Sequence, residues 1–360
     1  MQQSLLRTLL TAAIAVCGGL LFQYLHIPVP WLLGPMSSVF VASLLIRSEQ
    51  ARPHWLPSLR NTGMIIVGYA IGLSFTREAL IQIVRQLPTM IVLSILLMGL
   101  CMLLALLSMR LARIDLPTAM LSSVPGGLSQ MVTLAEEMRG VNLTTVTVFQ
   151  VVRVLLIVLL VPLLVVSPLF STAAGGGSEL PGAVPVGLSP VLGLFILCGV
   201  LMIALGLRIR MPNAYMVGPI LSTALLVQLG VAGPEPSTPV LQIAQLLIGV
   251  YVGLLLKPSQ AQKKLRLLLT AILTSLLLIG GSLGLSEVVG MMHGLDHITG
   301  FLAMAPGGMD QMSIIAHEVD ADLSIVSAYQ LFRLFFVFFV ISPLLQLLFR
   351  RVYGSRMKSS

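Results

Sequence analysis

Long apolar stretches alternate with short polar breaks along the chain, and they do so in two rounds. In the first round the apolar runs cover roughly residues 5–26, 30–46, 62–76, 87–109 and 143–166; in the second they cover roughly 189–207, 214–231, 239–256, 267–291 and 323–348. These lengths approach what a helix needs to cross about 30 Å of hydrocarbon. The pattern therefore predicts ten transmembrane helices, five per half. One segment in each half does not fit. Residues 116–138 and 299–318 are moderately apolar, yet each is split by Pro-Gly-Gly, which removes a backbone donor and adds two flexible positions. Each reads as a broken span or as a re-entrant hairpin.

The two rounds also match residue by residue. Val124-Pro125-Gly126-Gly127-Leu128-Ser129-Gln130-Met131 returns 181 residues later as Ala305-Pro306-Gly307-Gly308-Met309-Asp310-Gln311-Met312, and both copies run on through an Ala to a Glu, Glu137 and Glu318. Gly68 and Gly72 align with Gly249 and Gly253; Pro28, Trp31, Gly34 and Pro35 align with Pro212, Tyr215, Gly218 and Pro219; Gln150 and Arg153 align with Gln330 and Arg333. Matches in the same order imply a tandem duplication. Its units are residues 1–170 (repeat 1, five spans plus the segment 116–138) and 188–360 (repeat 2, five spans plus 299–318). The Gly-, Pro- and Ser-rich stretch between them, residues 171–187, reads as an external linker.

Charge decides between hairpin and crossing, because short cytoplasmic loops collect Lys and Arg. If both segments leave on the side they enter, the two halves have opposite topology. With the N-terminus inside, the inner face then carries Arg7, Arg47, Arg52, Arg60, Arg110, Arg113, Arg139, Arg208, Arg210, Lys257, Lys263, Lys264, Arg266, Arg350, Arg351, Arg356 and Lys358. Only Arg77 and Arg85 fall outside, and Arg153 and Arg333 lie within spans. If both segments cross, the split becomes 10 inside against 9 outside. The 17 to 2 partition favours an inverted repeat with both termini cytoplasmic. The Pro125 hairpin then enters from the cytoplasm and the Pro306 hairpin from outside.

Composition removes the soluble alternative. Of 360 residues 57% are apolar and 9% charged, with a mean hydropathy of +1.00, whereas a soluble domain carries about 25% charged residues. The net charge of +8 belongs to the cytoplasmic loops and does not call for nucleic acid. Arg7 followed by the apolar run from Thr8 to Leu21 has the outline of a signal peptide, but no small-residue cleavage site follows, so it is read as the first span. Cys17, Cys101 and Cys198 lie in apolar runs and read as core. The 19 methionines read as core filler, and the Gly-x3-Gly pairs as close helix packing.

The candidate chemistry sits at the Pro-Gly-Gly tips and on two arginines. A helix follows each tip, so free N–H groups and a positive dipole end would face an anion there. Gly126, Gly127, Ser129 and Gln130 line the first tip, and Gly307, Gly308, Asp310 and Gln311 the second. The plainer reading is a tight buried turn. Gln150 with Arg153, and Gln330 with Arg333, share one helical face near mid-span, where an arginine costs about 2.5 to 3.5 kcal/mol. Each arginine needs a partner. Either an acid of the same half supplies it, Glu137 for Arg153 and Asp310 or Glu318 for Arg333, or a solute carboxylate or phosphate does. Asp310 replaces Ser129 of the first half and is the candidate for Na+ or H+ coupling, unless it only neutralises Arg333. His293 and His297 flank Asp296, but Gly294 weakens the helix they would need and no further ligand adjoins, so a solvated loop is preferred and no metal is expected.

These motifs, together with Gly34-Pro35 and Gly218-Pro219, resemble the AbrB duplication family of bacterial inner-membrane proteins over nearly the whole chain. The resemblance implies membrane location and duplicated architecture. Members carry the labels ammonia monooxygenase or membrane regulator. An oxygenase would need copper or iron ligands, and His26, His54, His293, His297 and His317 are too scattered to supply an evident set. The expectation is an all-α polytopic secondary transporter in the inner membrane, without enzymatic chemistry or cofactor. It would move a small anionic or zwitterionic solute through a midplane site between the tips, with Na+ or H+ as the coupling ion if one is used. Its partners would be the bilayer and the solute, with a homo-oligomer left open. A sensor that affects gene expression indirectly is the rival class.

Overall fold

In a computed structural model the described residues are 2–46, 53–126, 128–138, 141–167, 190–255 and 265–354; within them the side chains of 2–5, 128–130, 133, 137, 190 and 350–354 are left aside. Among the described residues the fold is helical throughout. The elements are α1 Gln2–Tyr24, α2 Pro30–Leu45, α3 Pro57–Ser74, α4 Arg77–Ala112, α5 Leu116–Ser123, α6 Leu128–Glu137 and α7 Leu143–Val165, followed by α8 Pro190–Arg208, α9 Ala214–Gln228, α10 Thr238–Leu254, α11 Leu265–His293, α12 His297–Met304, α13 Met309–Glu318 and α14 Leu323–Phe336. A π turn at Val337–Ile341 joins α14 to α15, Ser342–Gly354. Proline opens several of them, with Pro30 in α2, Pro57 in α3, Pro117 in α5 and Pro239 in α10, where its missing N–H costs nothing.

Six stretches are long and apolar enough to cross a membrane: Leu6–Tyr24, Arg77–Ala112, Leu143–Val165, Val191–Arg208, Leu265–His293 and Leu323–Phe349. This makes the chain a multi-pass, membrane-type helical protein. The other four expected spans are α2, α3, α9 and α10, of 16, 18, 15 and 17 residues, which extend about 22 to 27 Å. α2 packs on α1 and α10, α3 on α9 and α10, and α9 also on α8. The expected boundary at residue 87 moves to Arg77, because Thr76 caps α4 by accepting from the Ala79 N–H at 3.2 Å and the helix then runs on through Pro88.

Glycine sets the closest of these contacts. A Cβ on Gly68 of α3 would stand 2.6 Å from the Met216 carbonyl of α9, and one on Gly249 of α10 would stand 2.5 Å from the Leu32 carbonyl of α2. One turn on, Gly72 meets Thr223 and Ile220 while Gly253 meets Met36. Only a residue without a Cβ lets the backbones approach this far, as the Gly-x3-Gly spacing suggested. The packing is reciprocal, α3 on α9 and α10 on α2, with α3 and α10 also on each other. The long helices α4 and α11 pack together in the same way, and each also contacts the arginine-bearing helix of the other half, α14 and α7 respectively.

The two Pro-Gly-Gly segments are short helices joined by a break. The four arms α5, α6, α12 and α13 have eight or ten residues each, about 12 to 15 Å, so none crosses a bilayer alone. The ends of each segment meet. The Asn142 N–H, just beyond α6, donates to Thr118 Oγ1 in the first turn of α5 at 3.1 Å, and the Asp322 N–H, beyond α13, donates to Thr299 Oγ1 in α12, also at 3.1 Å. Asn142 and Asp322 then cap the helices that carry the arginines, Asn142 accepting from the Thr145 N–H and Asp322 from the Ser324 and Ile325 N–H groups.

Candidate functional site

A broken helix leaves carbonyls without partners at the end of its first arm. At Val124 and Ala305 these are taken by side chains from α7 and α14. Gln150 Nε2 donates to the carbonyls of Leu121 (2.7 Å) and Val124 (3.1 Å), and Gln330 Nε2 to those of Leu302 (2.8 Å) and Ala305 (3.0 Å). Arg153 Nη1 donates to the carbonyls of Ser123 and Val124, each at 3.2 Å, and Arg333 Nη1 to those of Met304 (3.3 Å) and Ala305 (2.9 Å). Arg333 Nη2 adds the Gly307 carbonyl at 3.0 Å. In both halves Nη2 also binds the Oε1 of the glutamine one turn back. All four side chains are buried.

For Arg333 this arrangement differs from the acid partners expected, while the side chain of Glu137, the acid expected for Arg153, lies outside those described. Asp310 accepts from Gln311 Nε2 at 3.0 Å, and Glu318 from Gln245 Nε2 of α10 at 2.6 Å, so neither acid is bonded to Arg333. Among the described residues the ion pair found is His297 with Glu287, at 3.2 Å near the far end of α11. The arginines instead sit where the carbonyl end of a helix dipole is negative, and each holds the break of its own segment. Nothing in a one-dimensional pattern signals this, because the carbonyls belong to a helix that ends 26 to 30 residues earlier. Among groups with which they interact are each other and the Cys101 thiol of α4, so two cations share one buried region.

The tips are less open than the sequence suggested. A Cβ on Gly126 would meet Met131 Cε at 2.6 Å and Val337 Cγ1 at 2.7 Å; one on Gly307 would meet Met312 Cε at 2.7 Å and Ile157 Cγ2 at 3.0 Å. Over Gly308 lie Gln311 Oε1 and, at 2.5 Å from an added Cβ, Asp310 Oδ1. Asp310 and Gln311 are buried, and Gln311 Oε1 has no partner among the described residues. Gly127 lies outside the described residues, as do the side chains of Ser129, Gln130 and Glu137. Arg60 was counted as a loop residue but stands in the first turn of α3. Its guanidinium carbon lies 4.3 Å above the Tyr251 ring, and its charge acts on Asp310. His293 pairs with Thr89 Oγ1 at 2.8 Å and His297 with Glu287, so the two histidines are drawn to different partners.

Beside Arg153 lies a cavity of about 10 Å³, walled by Ser122, Ser123, Phe149, Arg153, Thr274 and Ser275 among others. Arg153 Nε and Ser123 Oγ, both buried, are without partners among the described residues.

Comparison with known proteins gives the chain's family. The family model described as "Transition state regulatory protein AbrB" matches residues 31–349. The chain belongs to the AbrB family. It is similar to "Uncharacterized protein YhjN" of Bacillus subtilis (strain 168), 28% identical over 374 residues that cover 96% of this chain and 94% of that protein. It is also similar to "Putative regulator AbrB" of Escherichia coli (strain K12), 28% identical over 317 residues, 87% of this chain and 88% of the relative. In this AbrB-family chain the matched span takes in both broken segments and both Gln/Arg pairs.

Proposed function

We propose that this AbrB-family protein is a secondary transporter of the bacterial inner membrane that moves a small anionic or zwitterionic solute. One observation carries the reading: two interacting guanidinium groups are buried among apolar helices, each bonded to carbonyls of a broken helix and neither bonded to an acid among the described residues. Carbonyls at the negative end of a helix dipole offset only part of a full positive charge, and in a low-dielectric interior the remainder calls for an anion. The polar backbone at the breaks is tolerated at depth where it lines a solute path.

The proposed topology is ten crossings in two inverted repeats, with both termini cytoplasmic and the broken segments as re-entrant hairpins. It is supported by the charge partition, by the bonds that close each segment at its ends, and by reciprocal packing of the halves. Asp310, buried at one tip only, is the proposed coupling residue for Na+ or H+.

A second reading has its own support. The Escherichia coli relative is named "Putative regulator AbrB", which favours a membrane sensor that binds the same anion without flux. Purified protein in proteoliposomes tests the choice with a panel of labelled carboxylates, amino acids and phosphates. Uptake lost in Arg153→Gln supports the carrier. Saturable binding with no uptake for any member of the panel supports the sensor and rejects the carrier.

A further inference from the structure

The two halves are unequal around their arginines. Counting 181 residues on, Ser122 and Ser123 become Ala303 and Met304, so two hydroxyls beside Arg153 have no counterpart beside Arg333. Arg333 also holds the extra Gly307 carbonyl, while Arg153 keeps a buried Nε–H with no partner among the described residues. We infer that the Arg153 cavity is a binding site for one halide-sized anion, held by Arg153 Nε–H and Ser123 Oγ–H.

The volume of about 10 Å³ has room for one small guest. Two orphaned donors, each more than nine-tenths buried, line the same cavity. An orphaned donor at such burial is an unfavourable state that a guest relieves. Around them, the Ser122, Thr274 and Ser275 hydroxyls are turned to carbonyls of their own helices, and each can rotate toward the guest. A cation is excluded by the guanidinium, and a water would leave the combined charge of Arg153 and Arg333 unbalanced, whereas an anion offsets it. This site goes beyond the transport reading, since a resident halide would occupy the cavity in a carrier or a sensor alike.

The test is thermal unfolding of the purified full-length protein in detergent with sodium chloride, bromide or gluconate at equal ionic strength, paired with equilibrium dialysis of radioactive chloride. Chloride and bromide are expected to raise Tm saturably over gluconate, and dialysis to give close to one chloride per chain. Ser123→Ala, a change that removes one hydroxyl and little volume, is expected to weaken chloride at least tenfold; Arg153→Lys, which removes the Nε–H but keeps the charge, is expected to abolish the response. Halides indistinguishable from gluconate with no bound chloride would overturn the site and leave a buried water there. Chloride bound equally by Ser123→Ala would overturn this placement. Ser123→Ala separates the two readings: it is expected to lose chloride while solute uptake persists, so the halide site can fail without the carrier reading failing.

Discussion

Val337, one turn beyond Arg333, rests against Gly126 at the break of the opposite half, and Ile157, one turn beyond Arg153, rests against Gly307. Each break is therefore clamped twice, by its own Gln/Arg pair and by the arginine-bearing helix of the other half.

Alanine at Gly126 or Gly307 should therefore strain the junction. The added carbon would displace Met131 and Val337, or Met312 and Ile157, and overpacking of this kind costs about 1 to 3 kcal/mol. The expected outcome is a lower Tm in detergent for each variant, and a larger loss for valine than for alanine. Unchanged melting in both alanine variants would remove the cross-half clamp.

Gln150→Leu and Gln330→Leu should each take the donor from one buried first-arm carbonyl, Leu121 or Leu302, while the arginines keep Val124 and Ala305, at a cost of about 1 to 3 kcal/mol. Arginine substitutions should divide by half. Arg333→Gln releases three carbonyl contacts and should accumulate poorly in the membrane, whereas Arg153→Gln, which releases two, should fold and lose solute binding. Equal membrane yields for the two would contradict this asymmetry.

Asp310→Asn keeps shape and the bond to Gln311 but removes the charge. A cation-coupled carrier is expected to lose the Na+ or pH dependence of uptake while solute exchange continues. Unaltered ion dependence in a stable Asp310→Asn protein would take Asp310 out of the mechanism and favour an uncoupled carrier or a sensor. General loss of folding would point to a structural role beside Arg60.

Single cysteines at Glu78 and Arg210, in a background freed of Cys17, Cys101 and Cys198, test the inverted topology. Glu78, in the first turn of α4, should react with an impermeant maleimide in intact cells; Arg210, beyond the end of α8, should react only after permeabilisation. The reverse pattern would turn the whole arrangement over, and labelling of both from outside would defeat it.

What the sequence determined by itself was the class of solvent and the repeating frame. Nine per cent charge and apolar runs of membrane length leave lipid as the surroundings, and the return of Pro-Gly-Gly, Gln/Arg and Gly-x3-Gly at a nearly fixed offset marks matched elements, because covalent spacing survives in one dimension. The Gly-x3-Gly role was legible for the same reason, since its i, i+4 period is local to one helix. What only tertiary structure decided was who meets whom. Arg153 and Arg333 could be assigned as costly and interior, but their carbonyl partners lie across a helix break and on another helix, and no residue type announces a free carbonyl. Likewise Arg60 over Tyr251, Val337 on Gly126 and the two serines walling the Arg153 cavity are made neighbours by packing between elements distant in the chain, so their chemistry depends on a distance that the order of residues does not contain.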